Sequence, residues 1–405
     1  MKKKIIVTAL IVIVLAIVSG YFYTTFSPHS NEQGSFVNAS VNEENSVSNV
    51  TTDSTNNTTN SVVESEELFS SYYDEAEEML SKMTLEEKVG QMFLARYPSS
   101  GVINEIKNYQ PAGYILFGKD FQNATPNSIK KELQDCQNAS KIPLALGVDE
   151  EGGTVVRVSQ YKAFRASPFK SPREIYANGG MNAIISDSHE KSNLLKNLGI
   201  NMNLAPVVDV PKTSNDFIYK RSFSTNVNEV KDFTNQIINA MKSDNITSVM
   251  KHFPGYGNNV DTHTGIAIDK RDYSNFENRD FIPFEEGIKN GAPAILVSHN
   301  IVKCMDKSKP ASLSENVHNI LRNELGFSGI IMTDDLAMDA VKQYVENGDA
   351  ATQAVLAGND LIISSDFANQ RNEVLQAVKD GTIEENTINN AVKRVLAWKM
   401  MYGII

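Results

Sequence analysis

Eight short runs rich in apolar and β-branched residues recur along the chain after residue 90, and polar stretches with helical spacing separate them. The runs are residues 92–95, GYILF at 113–117, LALGV at 144–148, NMNLAPVVDV at 201–210, SVMKHF at 248–253, AILVSH at 294–299, GIIMTDD at 329–335 and DLIISS at 360–365. Intervening segments such as NSIKKELQDCQNA and ENVHNILRNELG repeat their apolar residues every three or four positions, the period of an amphipathic helix. The strands are too uniformly apolar to keep one face in water, which predicts a parallel sheet covered by helices. Eight strand–helix repeats over about 340 residues predict a (β/α)8 barrel of the TIM type, forming a single domain. A doubly wound open sheet also alternates strand and helix, but it requires no particular count of eight. The first repeat opens on MTLEEKVGQMFLA, where Thr84 and Glu87 have the spacing of a capping box.

The pattern changes before residue 67. MKKK and the apolar run IIVTALIVIVLAIV read as a secretory signal, or as an anchor if counted on through Tyr23 without cleavage. We assign residues 1–24 to this export segment. No cysteine follows the run, so a lipidated N-terminus is not expected. Residues 25–66, with NVTTDSTNNTTNSVV at their centre, offer too little apolar surface to offset chain entropy and read as a disordered linker. As a flexible tether, such a linker reaches roughly 35 Å on average. Residues 67–405 then form the barrel.

Charge follows the same division. The net −11 comes largely from residues 5–81, which hold eleven Asp or Glu and no Lys or Arg, while residues 82–405 hold 35 basic and 38 acidic side chains. A nearly neutral folded part without a basic tract argues against nucleic acid as a partner. Two cysteines, Cys136 and Cys304, lie far apart and outside any CxxC spacing, so buried free thiols are expected in preference to a bridge.

In a barrel of this kind, chemistry belongs at the C-terminal ends of the strands. Asp149 follows LALGV, Asp209 follows LAPVV, Lys251 and His252 follow SVM, His299 follows AILVS and Asp334 follows GIIMT. A single charge ending a strand can be a helix cap. Five strand ends carrying such groups into one mouth point to a site instead. KHFPGYGNNVDTHTG adds Asp261 and His263 to the loop after the fifth run.

MTLEEKVGQMF, GVDEEGG, NLAPVVDV, RSFS, KHFPGYG…DTH and MTDDLAMDAV, in this order from about residue 75, resemble the landmarks of family 3 glycoside hydrolases. The closest resemblance is to the bacterial exo-β-N-acetylglucosaminidase branch, and Asp-x-His shortly after Lys-His-Phe-Pro-Gly is its most specific element. The resemblance implies a retaining mechanism through a covalent glycosyl-enzyme, with a GlcNAc-containing glycan or muropeptide as substrate and no cofactor or metal. It implies Asp334 as nucleophile rather than Asp335, and His263 as acid/base oriented by Asp261. An imidazole titrating near neutrality suits that exchange of protons. The matching positions imply that Asp149, Arg157, Arg221, Lys251 and His252 bind the sugar, that His299 is support or core, and that Asp209 is mainly structural.

Two positions depart from the family. Tyr256 stands where FPGHG is usual and cannot carry a charge, and Thr154 stands where an arginine often follows EGG. The chain closes on AVKRVLAWKMMYGII, read as the last barrel helix, so the second α/β domain of larger relatives is not expected and a monomer is. Three alternatives remain at this level. One is a β-glucosidase-type or phosphorolytic family 3 enzyme. Another is a metal-dependent barrel hydrolase, although MFLAR lacks the His-x-His of that class. The third is a non-catalytic wall-binding protein. In each case the protein is expected to be exported, either secreted or held at the outer face of the envelope by an uncleaved N-terminal segment.

Overall fold

A computed structural model describes residues 67–259, 267–342, 344–345 and 349–405. The export segment, the linker and both Asp261 and His263 lie outside these described residues. Eight parallel strands run in chain order around a ring: β1 Phe93–Arg96, β2 Gly113–Leu116, β3 Ala145–Val148, β4 Met202–Asn203, β5 Thr247–Phe253, β6 Ala294–Val297, β7 Ile330–Thr333 and β8 Ile362–Ser364. Each strand from β1 to β6 pairs with its successor, and β8 returns to β1 with Phe93 opposite Ile362. The seam between β7 and β8 is thinner, a single bridge between Met332 and Leu361, to which the Thr333 hydroxyl adds a bond from the Ile363 amide at 3.1 Å. The expected (β/α)8 barrel is therefore the fold.

The strand interiors are buried on both faces, as their continuous apolar runs require. The fourth run shortens most. Of 201–210 only Met202 and Asn203 form strand, because Pro206 has no amide to give the ladder. The chain stays beside β5 nonetheless, with the Val208 amide donating to the Lys251 carbonyl at 2.9 Å. The segment ENVHNILRNELG begins as the α-helix Glu315–Asn319 but widens into a π turn, Ile320–Glu324. Thr84 and Glu87 close the predicted capping box. The thiol expectation holds for Cys136, which is buried; Cys304 is exposed, because it lies in the turn after the short strand Ile301–Val302.

At the N-terminal face of the strands, the helix Tyr73–Ser81 packs against the closing helix Glu385–Met401. Leu68 enters there too, its amide donating to Ser328 Oγ at 3.0 Å, just before β7. Trp398 is wholly buried and its indole N–H donates to Thr247 Oγ1 at 3.2 Å. Beside it, Lys399 is also fully buried, and its ammonium donates to Gln91 Oε1 and the Pro143 carbonyl, both at 2.9 Å. Among the described residues no carboxylate pairs with it, and burial pushes its pKa down from 10.5 to about 7. Among the described residues no helix is long and apolar enough to cross a membrane.

Candidate active site

The C-terminal ends of the strands surround an open cavity of about 390 Å³. Six residues expected from sequence line it together: Asp149, Arg157, Arg221, Lys251, His252 and Asp334. Each is placed by a strand end or by the loop just beyond one. Asp149 follows β3 directly and Asp334 follows β7 directly, its amide held by the Val297 carbonyl of β6 at 3.1 Å. Lys251 and His252 both reach the cavity, although neighbouring residues of a regular strand face opposite ways. The register of β5 against β6 shifts between Lys251 and Phe253, a bulge that turns both side chains to the mouth.

The charges are paired in a chain. Lys251 Nζ lies 2.6 Å from Asp149 Oδ1 and 2.7 Å from Glu151 Oε1. Arg221 grips Glu151 with Nε at 2.9 Å and Nη2 at 2.7 Å, a two-point contact that only a planar guanidinium makes. Burial raises the pKa of Glu151, but Arg221 and Lys251 outweigh it and hold the carboxyl well below the usual carboxylate range. Burial likewise works against the Lys251 ammonium, and Asp149 and Glu151 override it upward.

His252 completes the chain. Nδ1 lies 2.8 Å from Asp209 Oδ2, and Arg221 Nη2 lies 3.2 Å from Nε2. A guanidinium has donors only, so Nε2 accepts and the ring proton sits on Nδ1. Burial, with the nearby Arg221, depresses the His252 pKa against the pull of Asp209, in keeping with a neutral ring. Asp209 also accepts from the His252 amide at 3.1 Å and the Tyr256 amide at 2.7 Å, the structural part expected of it. Tyr256, at the position where the family has histidine, is buried and packs edge-on to His252 with ring centroids 5.0 Å apart. Phe217 also packs on it, with ring centroids 5.8 Å apart, and is 37% exposed where it lines the cavity.

The remaining donors and acceptors differ in how occupied they are. Arg157 Nη2 stands 3.9 Å from Asp149 Oδ2, and among the described residues Arg157 Nε has no hydrogen-bond partner. Its guanidinium lines the cavity beside Asp149. Of the two aspartates after β7, Asp335 ties its loop to the one after β8: its carboxylate accepts from the Ala337 amide at 2.9 Å, the Ser365 amide at 3.0 Å and the Ser365 hydroxyl. Asp334 accepts from the Asp335 amide at 2.8 Å and lines the cavity. Buried His299 supports this corner, with Nε2 3.1 Å from the Asp335 carbonyl and Nδ1 2.7 Å from Ser312 Oγ. Since a carbonyl only accepts, the His299 proton is on Nε2.

Sequence reasoning missed Glu150 and Glu151. Glu150 is buried and takes the amides of Arg157 at 2.9 Å, Val158 at 2.7 Å and Ser159 at 3.3 Å, so it shapes the loop that carries Arg157. Three consecutive acids after a buried strand were the available signal. Two of the three could not be solvated, and each had to find its own cations or amides. Gly152, at φ +99°, lets the chain turn against the Lys170 carbonyl, which a Cβ would approach to 2.3 Å.

Comparison with known proteins agrees with the fold and the landmarks. The model of the glycosyl hydrolase family 3 N-terminal domain matches residues 84–398. A β-hexosaminidase A from Pseudoalteromonas piscicida is 32% identical over 283 residues, 64% of this chain but 46% of that protein, so the chain spans about half that relative's length. A β-hexosaminidase from Nitrosomonas eutropha is 29% identical over 271 residues, 66% of this chain and 77% of its own. Among solved structures, a family 3 β-N-acetylglucosaminidase from Paenibacillus sp. str. FPU-7 superposes with a TM-score of 0.74 at 28% identity, covering 80% of this chain and 63% of that one. With most of the barrel inside the matched region, the chain belongs to glycosyl hydrolase family 3 through its N-terminal domain.

Proposed function

We propose that the protein is a retaining exo-β-N-acetylglucosaminidase that removes non-reducing-end β-linked GlcNAc from peptidoglycan fragments or chito-oligosaccharides. The observation that carries this reading is the placement of Asp334, at the end of a buried strand, among the charged groups that line the cavity. Both aspartates border the cavity, but Asp335 spends its oxygens on the Ala337 amide and on Ser365 after β8, while Asp334 directly ends its strand beside Asp149, Arg157 and Lys251. A rigid strand-end carboxylate facing a polar, sugar-sized cavity suits a nucleophile. Asp334 attacks the anomeric carbon and forms a glycosyl ester as the bond to the leaving oxygen breaks. His263, oriented by Asp261, gives that oxygen its proton. The same imidazole then takes a proton from water, which hydrolyses the ester and frees Asp334. Asp149 accepts from sugar hydroxyls, Arg157 donates to hydroxyls or to the N-acetyl carbonyl, and Lys251, Arg221 and His252 keep these groups charged and aimed. The enzyme acts outside the cell as a monomer, with residues 1–24 as signal or anchor and 25–66 as tether.

A panel of 4-nitrophenyl β-glycosides, assayed with and without chelator and phosphate, tests this reading. The GlcNAc substrate should be turned over in preference to glucose, at a rate insensitive to EDTA, with free GlcNAc as product. Preference for glucose would indicate a β-glucosidase, and accumulation of a sugar phosphate would indicate phosphorolysis. Loss of activity to EDTA with recovery on zinc would indicate a metallohydrolase. An inert protein that still binds glycan would be a wall-binding module.

A further inference from the structure

After β5 the chain runs through Gly255–Asn259 and returns at the short strand Ile268–Asp269. One side chain joins the outgoing and returning arms. Arg271 Nη2 donates to the Gly255 carbonyl at 3.0 Å and to Asp269 Oδ2 at 2.7 Å. Its Nε lies 3.1 and 2.9 Å from the two oxygens of Asp269, and Nη1 donates to Asp280 Oδ2 at 2.8 Å. Asn259 Nδ2 adds a second crossing bond, to Asp269 Oδ2 at 2.7 Å.

The arms lie directly on this cluster. A Cβ on Gly255 would come 2.4 Å from Asp280 Oδ1, and one on Gly257 would come 2.5 Å from the Arg271 guanidinium carbon. The Phe276 ring covers the guanidinium at 4.3 Å. The side chains of Asp269 and Asp280 are each 1% exposed and that of Arg271 is 8%. A buried guanidinium held between two carboxyl groups contributes little net stability but tolerates very few geometries. Such a cluster is suited to fixing a position.

We infer that Arg271, held by Asp269 and Asp280, is a positioning residue for proton transfer, because it fixes both arms of the loop on which Asp261 and His263 lie in sequence. This rests on the reading of those two residues as the acid/base pair. Proton donation needs the imidazole within hydrogen-bond reach of the leaving oxygen. A displacement of order 1 Å is enough to lower a rate by about 10²-fold. Substrates whose leaving group departs without a proton escape that loss.

The test compares Arg271→Lys and Asn259→Ala with His263→Ala on two substrates, a GlcNAc disaccharide and 2,4-dinitrophenyl β-GlcNAc. Folding is checked by thermal melting, and sugar binding by the inhibition constant of GlcNAc. Lysine keeps the charge but loses the fork, and Asn259→Ala removes a crossing bond without touching a buried charge, so it serves if the lysine variant does not fold. Arg271→Lys should lower kcat/KM on the disaccharide by about 10–100-fold and on the dinitrophenyl sugar by less than about threefold, with GlcNAc inhibition unmoved. Equal losses on both substrates, weakened GlcNAc inhibition or no loss at all would overturn the inference while leaving a selective His263→Ala effect intact. A His263→Ala variant that loses both substrates equally would overturn the acid/base assignment itself, and this inference with it.

Discussion

Asp209 Oδ2 receives both the backbone amide and the ring Nδ1 of His252, at 3.1 and 2.8 Å, while its other oxygen takes the Tyr256 amide at 2.7 Å. All three partners are donors, so the position demands an acceptor on both oxygens. Asp209→Asn would turn an NH2 group toward at least one of them and leave a buried clash of donors. We expect kcat/KM to fall about 10–100-fold, as for loss of a charged hydrogen bond of roughly 1.5–3 kcal/mol. Nitrogen NMR of the imidazole should show the wild-type proton on Nδ1 and its redistribution in the variant.

The aspartates after β7 should separate cleanly by substitution. Asp334→Asn should abolish turnover, because an amide cannot supply the attacking carboxylate oxygen, and should leave the melting temperature within a degree or two, because the side chain faces the cavity and the substitution keeps its shape. Asp335→Ala should lower stability by about 1–3 kcal/mol, since it orphans two amides, and should keep part of the activity. Mass spectrometry with a 2-fluoro sugar should find the label on Asp334. Retained activity in Asp334→Asn, with loss in Asp335→Asn, would reverse the assignment.

His263→Ala should slow hydrolysis of disaccharides by about 10²–10⁴-fold relative to dinitrophenyl sugars, the usual worth of general-acid help. Asp261→Ala should give the same pattern in milder form. The pH profile of the disaccharide reaction should lose the limb belonging to the imidazole, and external azide should restore rate on the activated substrate alone.

Lys399 predicts a dependence of stability on pH. Its pKa is about 7 in the fold against 10.5 for the free side chain, because burial disfavours the cation. Between those values the unfolded chain holds the proton and the folded chain does not, so stability rises with pH; below 7 both hold it and the contribution is flat. The full effect is about 5 kcal/mol as an upper bound. Denaturant unfolding of wild type and Lys399→Met from pH 6 to 10 should show a rise in wild type that the variant lacks.

The barrel was legible because its strands are buried on both faces and therefore stand out as apolar runs, and because each polar group at a strand end interrupts such a run. Asp149, Lys251, His252 and Asp334 could be found on that ground alone. Arg157 and Arg221 were legible through family landmarks, since neither ends a strand. Glu151 was not, because its importance lies in the partners folding brings to it from 70 and 100 residues further along the chain. The shortening of β4 had a local cause in Pro206, whereas the widening of Glu315–Glu324 into a π turn has no signal in its helix-period spacing.

Leu68 joins the barrel beside Ser328, at the end of the strands opposite the mouth. A bead, a surface or a fused protein coupled directly at that point would therefore sit behind the catalyst, with the cavity turned outward. Immobilised in this way, the enzyme should meet a long glycan as freely as it does in solution. Coupling through the exposed thiol of Cys304, which lies past the C-terminal end of β6, gives an attachment on another part of the surface and a direct comparison.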